Sequence, residues 1–234
     1  MHPITPSYTP VAESALLLSL GDTIDESVNR QLMHLWQKTL QANIKGILEI
    51  TPAFTTMLIL FDPILTDCQT ITKRIQKLCR SLQDVESIGK TVDIPVCYGG
   101  RYGEDLSYVC MHTGLSQQEV ISLHSKPSYL IYMIGFLPAF PYLGGMDERL
   151  FTPRLQNPRV RIPAGSVGIG GEQTGIYPVE SPGGWQLIGR TPLMLFDPQT
   201  PEKSLYQAGD RIRFVPIDAA EYQRLSQENV EVQT

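Results

Sequence analysis

The sequence lacks most of the patterns that assign a chemistry at once. Its four cysteines, Cys68, Cys79, Cys97 and Cys110, never stand in the C-x-x-C spacing of zinc and redox sites, so we interpret them as reduced core thiols. No run of lysine or arginine is dense enough to follow a phosphate backbone, and the net charge is -5, so we expect no nucleic-acid partner. The apolar stretch Ala15–Leu18 is too short for a secretion signal or a membrane span. We therefore expect a cytoplasmic protein with no membrane partner.

Three common catalytic motifs are also missing. The glycine cluster at 165–171 lacks the lysine of a phosphate-binding P-loop, and Ala164 replaces the first glycine of a serine-hydrolase elbow around Ser166. The four histidines, His2, His34, His112 and His124, form no H-E-x-x-H pair. These absences exclude the ordinary P-loop ATPase, the nucleophile-elbow hydrolase and the H-E-x-x-H zinc peptidase, and no residue is named as a metal ligand.

The first ninety residues alternate short apolar runs with two helical patterns. Ser14–Leu20 reads as a strand, and the capping-box spacing of Thr23–Glu26 predicts a helix that begins there. Strands follow at Ile47–Ile50 and Met57–Phe61, and a second helix is predicted from about Asp67 to Gly89. Residues 1–90 are thus predicted to form a two-layer α+β domain with the order β-α-β-β-α.

The rest of the chain, 91–234, is richer in turn residues. Residues 135–192 contain 11 of the 19 glycines and 8 of the 18 prolines, a density that suits tight turns between short strands. Such strands favour a closed or nearly closed barrel, which leaves no exposed edge. The predicted strands are Tyr129–Ile134, Ser166–Ile169, Gly175–Val179, Gln186–Gly189, Leu193–Phe196 and Arg211–Pro216, and short helices are predicted at Glu104–Met111, Ser116–Ser125 and Asp218–Leu225. A further predicted strand, Val92–Val96, either completes the sheet of the first domain or begins the second domain.

Several long turn-rich motifs occur in a fixed order. They are IPVCYGG at 94–100, LHS at 123–125, GFLPAFPYLGG at 135–145, TPR at 152–154, PRVRIPAGS at 158–166, GEQTGIYP at 171–178 and SPGGWQLIGRTP at 181–192. With these motifs the chain resembles the PxpB/KipI family, also called the allophanate hydrolase subunit 1 family. The resemblance implies a small α+β N-terminal domain and a mainly β C-terminal barrel of the cyclophilin-like type. The family pattern has glycine where this chain has Ala139, a position that would then need an unusual backbone angle.

The resemblance implies three functions. In the first, the chain is a subunit of an ATP-dependent 5-oxoprolinase, which opens 5-oxo-L-proline to L-glutamate together with PxpA-like and PxpC-like subunits, with ATP and Mg²⁺ bound by this chain or by a partner. In the second, a KipI-like protein inhibits a sensor histidine kinase by protein contact. In the third, the chain is a carboxyltransferase-like component of a urea carboxylase or allophanate system, although it lacks the Met-Lys-Met biotin-attachment tripeptide. We favour the first and expect the isolated chain to be inactive.

We predict that the site lies where four turns of the barrel converge. Arg154 would hold a carboxylate or phosphoryl oxygen, and Tyr142 or His124 would transfer a proton. The ligand-binding residues would be Phe140, Arg159, Gln173, Thr174, Gly183, Gly184, Trp185 and Arg190.

Structural roles are open for several of these residues. Arg154 and Arg159 can instead pair with acidic side chains, Trp185 can be a core anchor, and His124 can complement the end of its helix as a cation. Phe140 and Tyr142 lie in a proline-rich segment that we predict to be a loop presenting aromatic side chains to a ligand or a partner.

Overall fold

A computed structural model of the chain describes residues 6–23, 25–80, 89–200 and 204–231. It divides into two compact units, Met1–Ile88 and Gly89–Thr234. Within the described residues, none of the helices combines the length and the apolar character needed to cross a membrane.

The first unit is a four-stranded antiparallel sheet with two helices on one face. Its elements are β1 (Ser7–Ala12), β2 (Ala15–Ser19), α1 (Glu26–Gln41), β3 (Ile47–Pro52), β4 (Thr56–Phe61) and α2 (Cys68–Cys79), and the strand order is β1-β2-β4-β3. Leu32 of α1 and Ile71 of α2 belong to the same buried cluster as Leu18 of β2 and Ile59 of β4. The predicted two-layer α+β arrangement is confirmed.

Two details of the first unit differ from the prediction. Strand β1 was not predicted, because Pro10 interrupts its apolar pattern; β1 lies at the edge of the sheet, where proline is tolerated. Helix α1 begins at Glu26 with Asp25 as its cap, since the Asp25 carboxylate accepts from the backbone N–H of Ser27 at 2.8 Å, so the predicted start at Thr23 is wrong. The predicted end of the second helix, after Arg80, lies outside the described residues.

The second unit is built around a closed seven-stranded barrel, with strands in the order β10-β7-β6-β13-β5-β12-β9. The last barrel strand along the chain, β13, pairs in parallel with the first, β5, and a separate small sheet joins β11 to β8. The elements are β5 (Thr91–Tyr98), α3 (Leu106–Thr113), α4 (Gln117–Ser125), β6 (Tyr129–Ile134), β7 (Pro141–Gly144), β8 (Arg159–Ile162), β9 (Ser166–Gly170), β10 (Gln173–Ile176), β11 (Ser181–Gly183), β12 (Gln186–Arg190), β13 (Arg211–Ile217) and α5 (Ala219–Glu231). The predicted barrel is confirmed.

Two predictions about barrel strands are wrong. Leu193–Phe196 forms no strand: Leu195 is 2% exposed and packs into the barrel core, so its apolar character reflects burial without strand pairing. Conversely, Pro141–Gly144 was predicted to be loop but pairs with β6 and β10, because Pro141 stands at the first position of a strand, where its missing N–H is tolerated.

Candidate functional site

The predicted site residues lie in three places in the second unit. One group surrounds an aromatic cluster on the outer side of β10 and β7. A second group lies inside the barrel, and Arg190 belongs to a separate concavity at the far end of β12.

The aromatic cluster contains Phe140, Tyr177 and Trp185, packed with Ile162 and Leu187. The ring centroids of Phe140 and Trp185 are 5.5 Å apart, and those of Phe140 and Tyr177 are 5.3 Å apart. Phe140 is only 2% exposed, so the prediction that it is presented on an open loop is wrong. Trp185 is 5% exposed, which fits the core-anchor interpretation.

Ala139 explains how the chain turns into this cluster. Its φ is +60°, the left-handed region that favours glycine, as expected from the family pattern. Its carbonyl oxygen accepts from the hydroxyl of Tyr206 at 2.9 Å, and Gly135 N–H donates to the carbonyl of Phe140 at 3.1 Å. The strained turn is therefore held at both ends.

Arg154 lies at the solvent edge of the cluster. Its guanidinium carbon is 5.8 Å from the centroid of the Trp185 ring, within the range of a cation–π contact. Burial raises the pKa of the neighbouring Tyr142 above its usual value, while the positive charge of Arg154 acts in the opposite direction. Arg154 is exposed, and no carboxylate among the described residues lies within ion-pair distance of it. Its interpretation as a paired surface residue finds no support in the described part of the chain.

Gln173 lies on the same side of β10 as this cluster. Side chains alternate along a strand, so Gln173 and Gly175 share a side, and a Cβ at Gly175 would lie 3.0 Å from the Trp185 ring. The structure therefore brings Arg154, Tyr142 and Gln173 to one region, as predicted.

Gly183 and Gly184 shape the backbone beside Arg154. A Cβ at Gly183 would lie 2.5 Å from the Tyr177 hydroxyl, so a larger residue does not fit there. The carbonyl of Gly184 accepts from the N–H of Leu155 at 2.7 Å, which fixes the Arg154 segment against the Trp185 turn.

Arg159 is committed to two acidic side chains. Its guanidinium lies 2.7 Å from the carboxylate of Asp105 and 3.1 Å from that of Glu104. The second Asp105 oxygen accepts from the N–H of Leu187 at 2.6 Å. Arg159 thus joins β8 to the start of α3, and its pairing interpretation fits the structure better than a ligand role.

His124 and Thr174 lie on the opposite side of β10, inside the barrel. The His124 ring contacts Tyr98 of β5, Thr174 of β10 and Phe214 of β13, strands that do not all neighbour one another, so it lies in the barrel interior. Its Nδ1 is 2.8 Å from the Tyr98 hydroxyl and its Nε2 is 2.8 Å from Thr174 Oγ1. His124 and Thr174 are both 0% exposed. The predicted convergence of His124 and Thr174 with Arg154 is therefore wrong.

The protonation state of His124 follows from these bonds. Thr174 Oγ1 donates to the carbonyl of Gly168 at 3.0 Å, so it accepts from Nε2–H of His124, and Nδ1 accepts from Tyr98. Burial lowers the pKa of His124 to about 3. The imidazole is neutral at ordinary pH, so the predicted cation at the end of α4 is wrong.

Arg190 lies in a concavity of about 460 Å³ lined by Arg101, Tyr102, Tyr222 and Gln223 among others. Its Nε is buried and has no hydrogen-bond partner. The Tyr102 and Tyr222 rings are 4.3 Å apart, and Arg101 donates to the Tyr102 hydroxyl at 2.7 Å. Within the described chain, neither arginine has a carboxylate within ion-pair distance. Two guanidinium groups without a carboxylate partner in one concavity suit a phosphate or carboxylate ligand.

This concavity is separate from the Arg154 region. The side chain of Gln186, at the start of β12, donates to the carbonyl of Pro153 at 2.9 Å, whereas Arg190 ends the strand about 13 Å further along. Sequence reasoning missed Arg101 and Tyr222. The doublet Gly99-Gly100, with φ of +70° and +52°, marks the sharp turn that presents Arg101 and was the available signal.

Cofactor requirements can be tested against the same residues. The two arginines without a carboxylate partner could hold a phosphate-bearing cofactor, whereas the described ranges contain no group of three or more His, Cys, Asp or Glu side chains placed to hold a metal ion.

Comparison with known proteins places the chain in a family. Residues 6–206 match the carboxyltransferase domain, subdomain C and D. The B subunit of 5-oxoprolinase from Bacillus subtilis (strain 168) is 40% identical over 231 residues, which cover 94% of this chain and 96% of that protein. The B subunit of the same enzyme from Haemophilus influenzae (strain ATCC 51907 / DSM 11121 / KW20 / Rd) is 42% identical over 209 residues, with 89% and 97% covered.

A solved structure supports the fold alone. The urea amidolyase of K. lactis matches with a TM-score of 0.78 at 18% identity, over 96% of this chain and 15% of that much longer chain. Together with the near-full-length relatives, this confirms the resemblance carried by the turn-rich motifs. The chain belongs to the carboxyltransferase subdomain C and D family and, within it, to the family of the 5-oxoprolinase B subunits.

Proposed function

We propose that the chain is the B subunit of an ATP-dependent 5-oxoprolinase that opens 5-oxo-L-proline to L-glutamate. The observation that carries this proposal is 40% identity to a 5-oxoprolinase B subunit over 94% of the chain. The other subunits would be PxpA-like and PxpC-like proteins, and the isolated chain would be inactive.

The chemistry of the substrate explains the need for ATP. A five-membered lactam is a stable amide, and transfer of the γ-phosphoryl group to its carbonyl oxygen makes C5 electrophilic enough for water. Water then adds at C5, and the C–N bond breaks with protonation of the nitrogen to leave an acyl phosphate. A second water hydrolyses this acyl phosphate to the carboxylate of glutamate and inorganic phosphate. Such a sequence needs positive groups around developing phosphate charge.

The Arg101–Arg190 concavity is the best candidate for that role. The substrate carries a carboxylate and its phosphorylated form carries further negative charge, and neither arginine has a carboxylate partner among the described residues. The Tyr102 and Tyr222 rings close one side of the concavity with apolar surface. Bound there, ATP would supply the phosphoryl group, while Mg²⁺ would be held by its phosphates or by a partner.

The Arg154 region is the alternative position for substrate in the same enzyme. Arg154 and Gln173 are accessible beside Tyr142, and this face can equally contact a PxpC-like partner. Substitution of Arg154 or Arg190 by lysine distinguishes the two positions, because only the arginine that binds substrate should be required for turnover.

The test is an assembled enzyme. The chain is purified alone and with candidate PxpA-like and PxpC-like subunits, and 5-oxoproline-dependent ADP and glutamate release are measured. We expect turnover only in the complete complex. Arg190→Lys should then lower kcat/KM about tenfold or more, because lysine cannot form the planar fork, equivalent to about 1.4 kcal/mol. Arg161→Lys is the matched control, since Arg161 is exposed and pairs with Glu180.

Each result leads to a different conclusion. A tenfold loss in Arg154→Lys with unchanged Arg190→Lys would move the substrate to the aromatic cluster. Turnover by the chain alone would contradict the multi-subunit proposal. Absence of turnover with correctly assembled partners, accompanied by inhibition of a sensor histidine kinase, would favour the KipI-like alternative.

A further inference from the structure

The first unit contains a cavity that the proposed reaction does not use. It has a volume of about 550 Å³, within the range of small-molecule sites, and lies between the segment after α1, the loop before α2 and one side of α2. The described residues that line it all belong to this unit.

Three positive side chains surround the cavity. Arg74 and Lys77 project from one side of α2, and Lys45 enters from the segment before β3. None of the three has a carboxylate within ion-pair distance among residues 6–23, 25–80, 89–200 and 204–231. The cavity therefore carries net positive charge that no described carboxylate offsets.

Two acidic side chains in the loop before α2, Asp62 and Asp67, are already bonded to backbone groups. The Asp62 carboxylate accepts from the N–H of Ile64 at 2.9 Å, and the Asp67 carboxylate caps α2 by accepting from the N–H of Thr70 at 2.7 Å. These bonds favour the present positions of both carboxylates over movement toward the lysines and the arginine.

The wall of the cavity is rigid and contains an unsatisfied polar group. The Thr66 hydroxyl oxygen is buried and has no hydrogen-bond partner. Gly46 has φ of +89°, and a Cβ there would lie 2.7 Å from the Thr66 methyl carbon, so the backbone at Gly46 packs directly on this side chain. An unpaired buried hydroxyl is unfavourable, so this side chain contributes to the cavity wall through packing and not as a contact to a ligand.

Apolar side chains complete the cavity. Ile44, Leu65 and Leu78 line it beside the cations, and Leu65 is 51% exposed in the absence of a ligand. A ligand that covers Leu65 would gain from burial of apolar surface. The cavity therefore suits a ligand that carries a negative charge and also has apolar surface.

We propose that this cavity binds a small organic phosphate, with the phosphate at Lys45, Arg74 and Lys77 and an apolar or aromatic group over Ile44, Leu65 and Leu78. Three positive charges attract a phosphate dianion more strongly than they attract a carboxylate, which has a single negative charge. The site is independent of the proposed 5-oxoprolinase site in the second unit.

The test uses the full chain with phenyl phosphate as the probe and backbone amide NMR as the readout. We expect saturable shifts at Asn43, Lys45 and Thr66, weaker binding of inorganic phosphate, and no binding of phenol. Arg74→Gln should weaken phenyl phosphate at least tenfold. Lys73→Gln, the neighbouring exposed position that does not line the cavity, should leave the affinity unchanged.

Thr66→Val is a packing control in the cavity wall. Valine keeps the shape and removes the buried unpaired hydroxyl, so we expect unchanged phenyl phosphate binding with thermal stability retained or increased. The proposal would be overturned if Arg74→Gln and Lys73→Gln weakened phenyl phosphate binding equally, or if the shifts did not saturate. Either result would mean that the positive side chains attract anions only through nonspecific electrostatics. Cosedimentation with phosphatidic acid vesicles provides a second test. A higher affinity for these vesicles than for phenyl phosphate would overturn the assignment of a free small molecule as the ligand.

Discussion

His124 shows how one side chain connects distant parts of the barrel. Its two ring nitrogens join Tyr98 and Thr174 at 2.8 Å each, and its own carbonyl accepts from the Tyr129 hydroxyl at 2.8 Å. The ring stacks on Phe214 with centroids 4.5 Å apart. Helix α4 is therefore fixed to β5, β10 and β13 through one neutral imidazole and to β6 through the carbonyl of the same residue.

This neutrality predicts a loss of stability in mild acid. The pKa of His124 is about 3 in the folded chain against 6.5 for the free group, so below pH 6.5 the unfolded chain binds a proton that the folded chain does not. The free energy of unfolding should fall as the pH decreases from 6.5 to 3. Between pH 6.5 and 5 the expected loss from this residue is about 2 kcal/mol.

Urea denaturation at pH 7.5 and pH 5.0 measures this effect. The pH-dependent loss should shrink by about 2 kcal/mol in His124→Gln, which has no titrating imidazole. His112→Gln, a change at an exposed histidine, should keep the wild-type slope. An unchanged slope in His124→Gln would show that other groups cause the acid sensitivity.

Among the secondary-structure elements, the start of α3 depends on one carboxylate. Asp105 makes no side-chain cap to its own helix, and binds instead Arg159 of β8 and the N–H of Leu187 in β12. The carboxylate is 13% exposed, whereas that of Glu104 beside it is 59% exposed. The two acidic residues contact the same arginine from very different environments.

Asp105→Asn should therefore destabilise the second unit by about 1–3 kcal/mol, because one acceptor is lost and Arg159 is left partly unpaired. Glu104→Gln should cost under about 1 kcal/mol, since its pair with Arg159 is solvent-screened. Thermal or chemical unfolding of both variants measures the difference. Equal losses would mean that the Arg159 pairs, and not the Leu187 hydrogen bond, dominate.

The sequence predicts long elements well and short ones poorly. Tyr129–Ile134 and Arg211–Ile217 are continuous apolar or alternating runs, and both form strands where expected. Pro141–Gly144 and Ser181–Gly183 have four and three residues and begin at or contain proline, so no periodicity could identify them.

The candidate site divides in the same way. Arg154 and Trp185 come together as the motifs indicate. The proximity of Arg101 to Arg190, in contrast, arises only when β12 joins β5 in the closed barrel. Side chains alternate along β10, so Thr174 points into the barrel and Gln173 does not. In a strand of four residues, the sequence pattern is too short to predict which residues face inward.

At the scale of the whole chain, each unit has its own buried core. Leu18, Leu35 and Ile59 belong to the core of the first unit, and Ile94 and Phe214 to that of the second. The sequence around Ser87–Thr91 is polar and contains glycine, which predicts a linker there. The structure places the C-terminal limit of this linker before Lys90, which is already bonded within the second unit. Its N–H donates to the Asp210 carboxylate at 3.1 Å, and its carbonyl accepts from Arg211 N–H at 2.8 Å.

Limited proteolysis with a protease of broad specificity should therefore cut first on the N-terminal side of Gly89 and leave a stable barrel fragment. Trypsin should spare Lys90 in the native protein, because its backbone is hydrogen-bonded on both sides. Mass spectrometry of the first fragments checks both expectations. First cuts within residues 135–192 would contradict the division into two independent domains.

The parallel pairing of β13 with β5 also has a consequence for synthesis on the ribosome. Strand β5 has only β12 and β13 as neighbours, and the paired residues Asp93 and Arg213 are 120 positions apart. A growing chain must therefore hold β5 without any strand partner until residues 186–190 have emerged, and it cannot close the barrel before residues 211–217 follow. Closure of the barrel is consequently a late step in the folding of this unit and depends on long-range contacts, which are slow to form and leave β5 open to chaperones in the meantime.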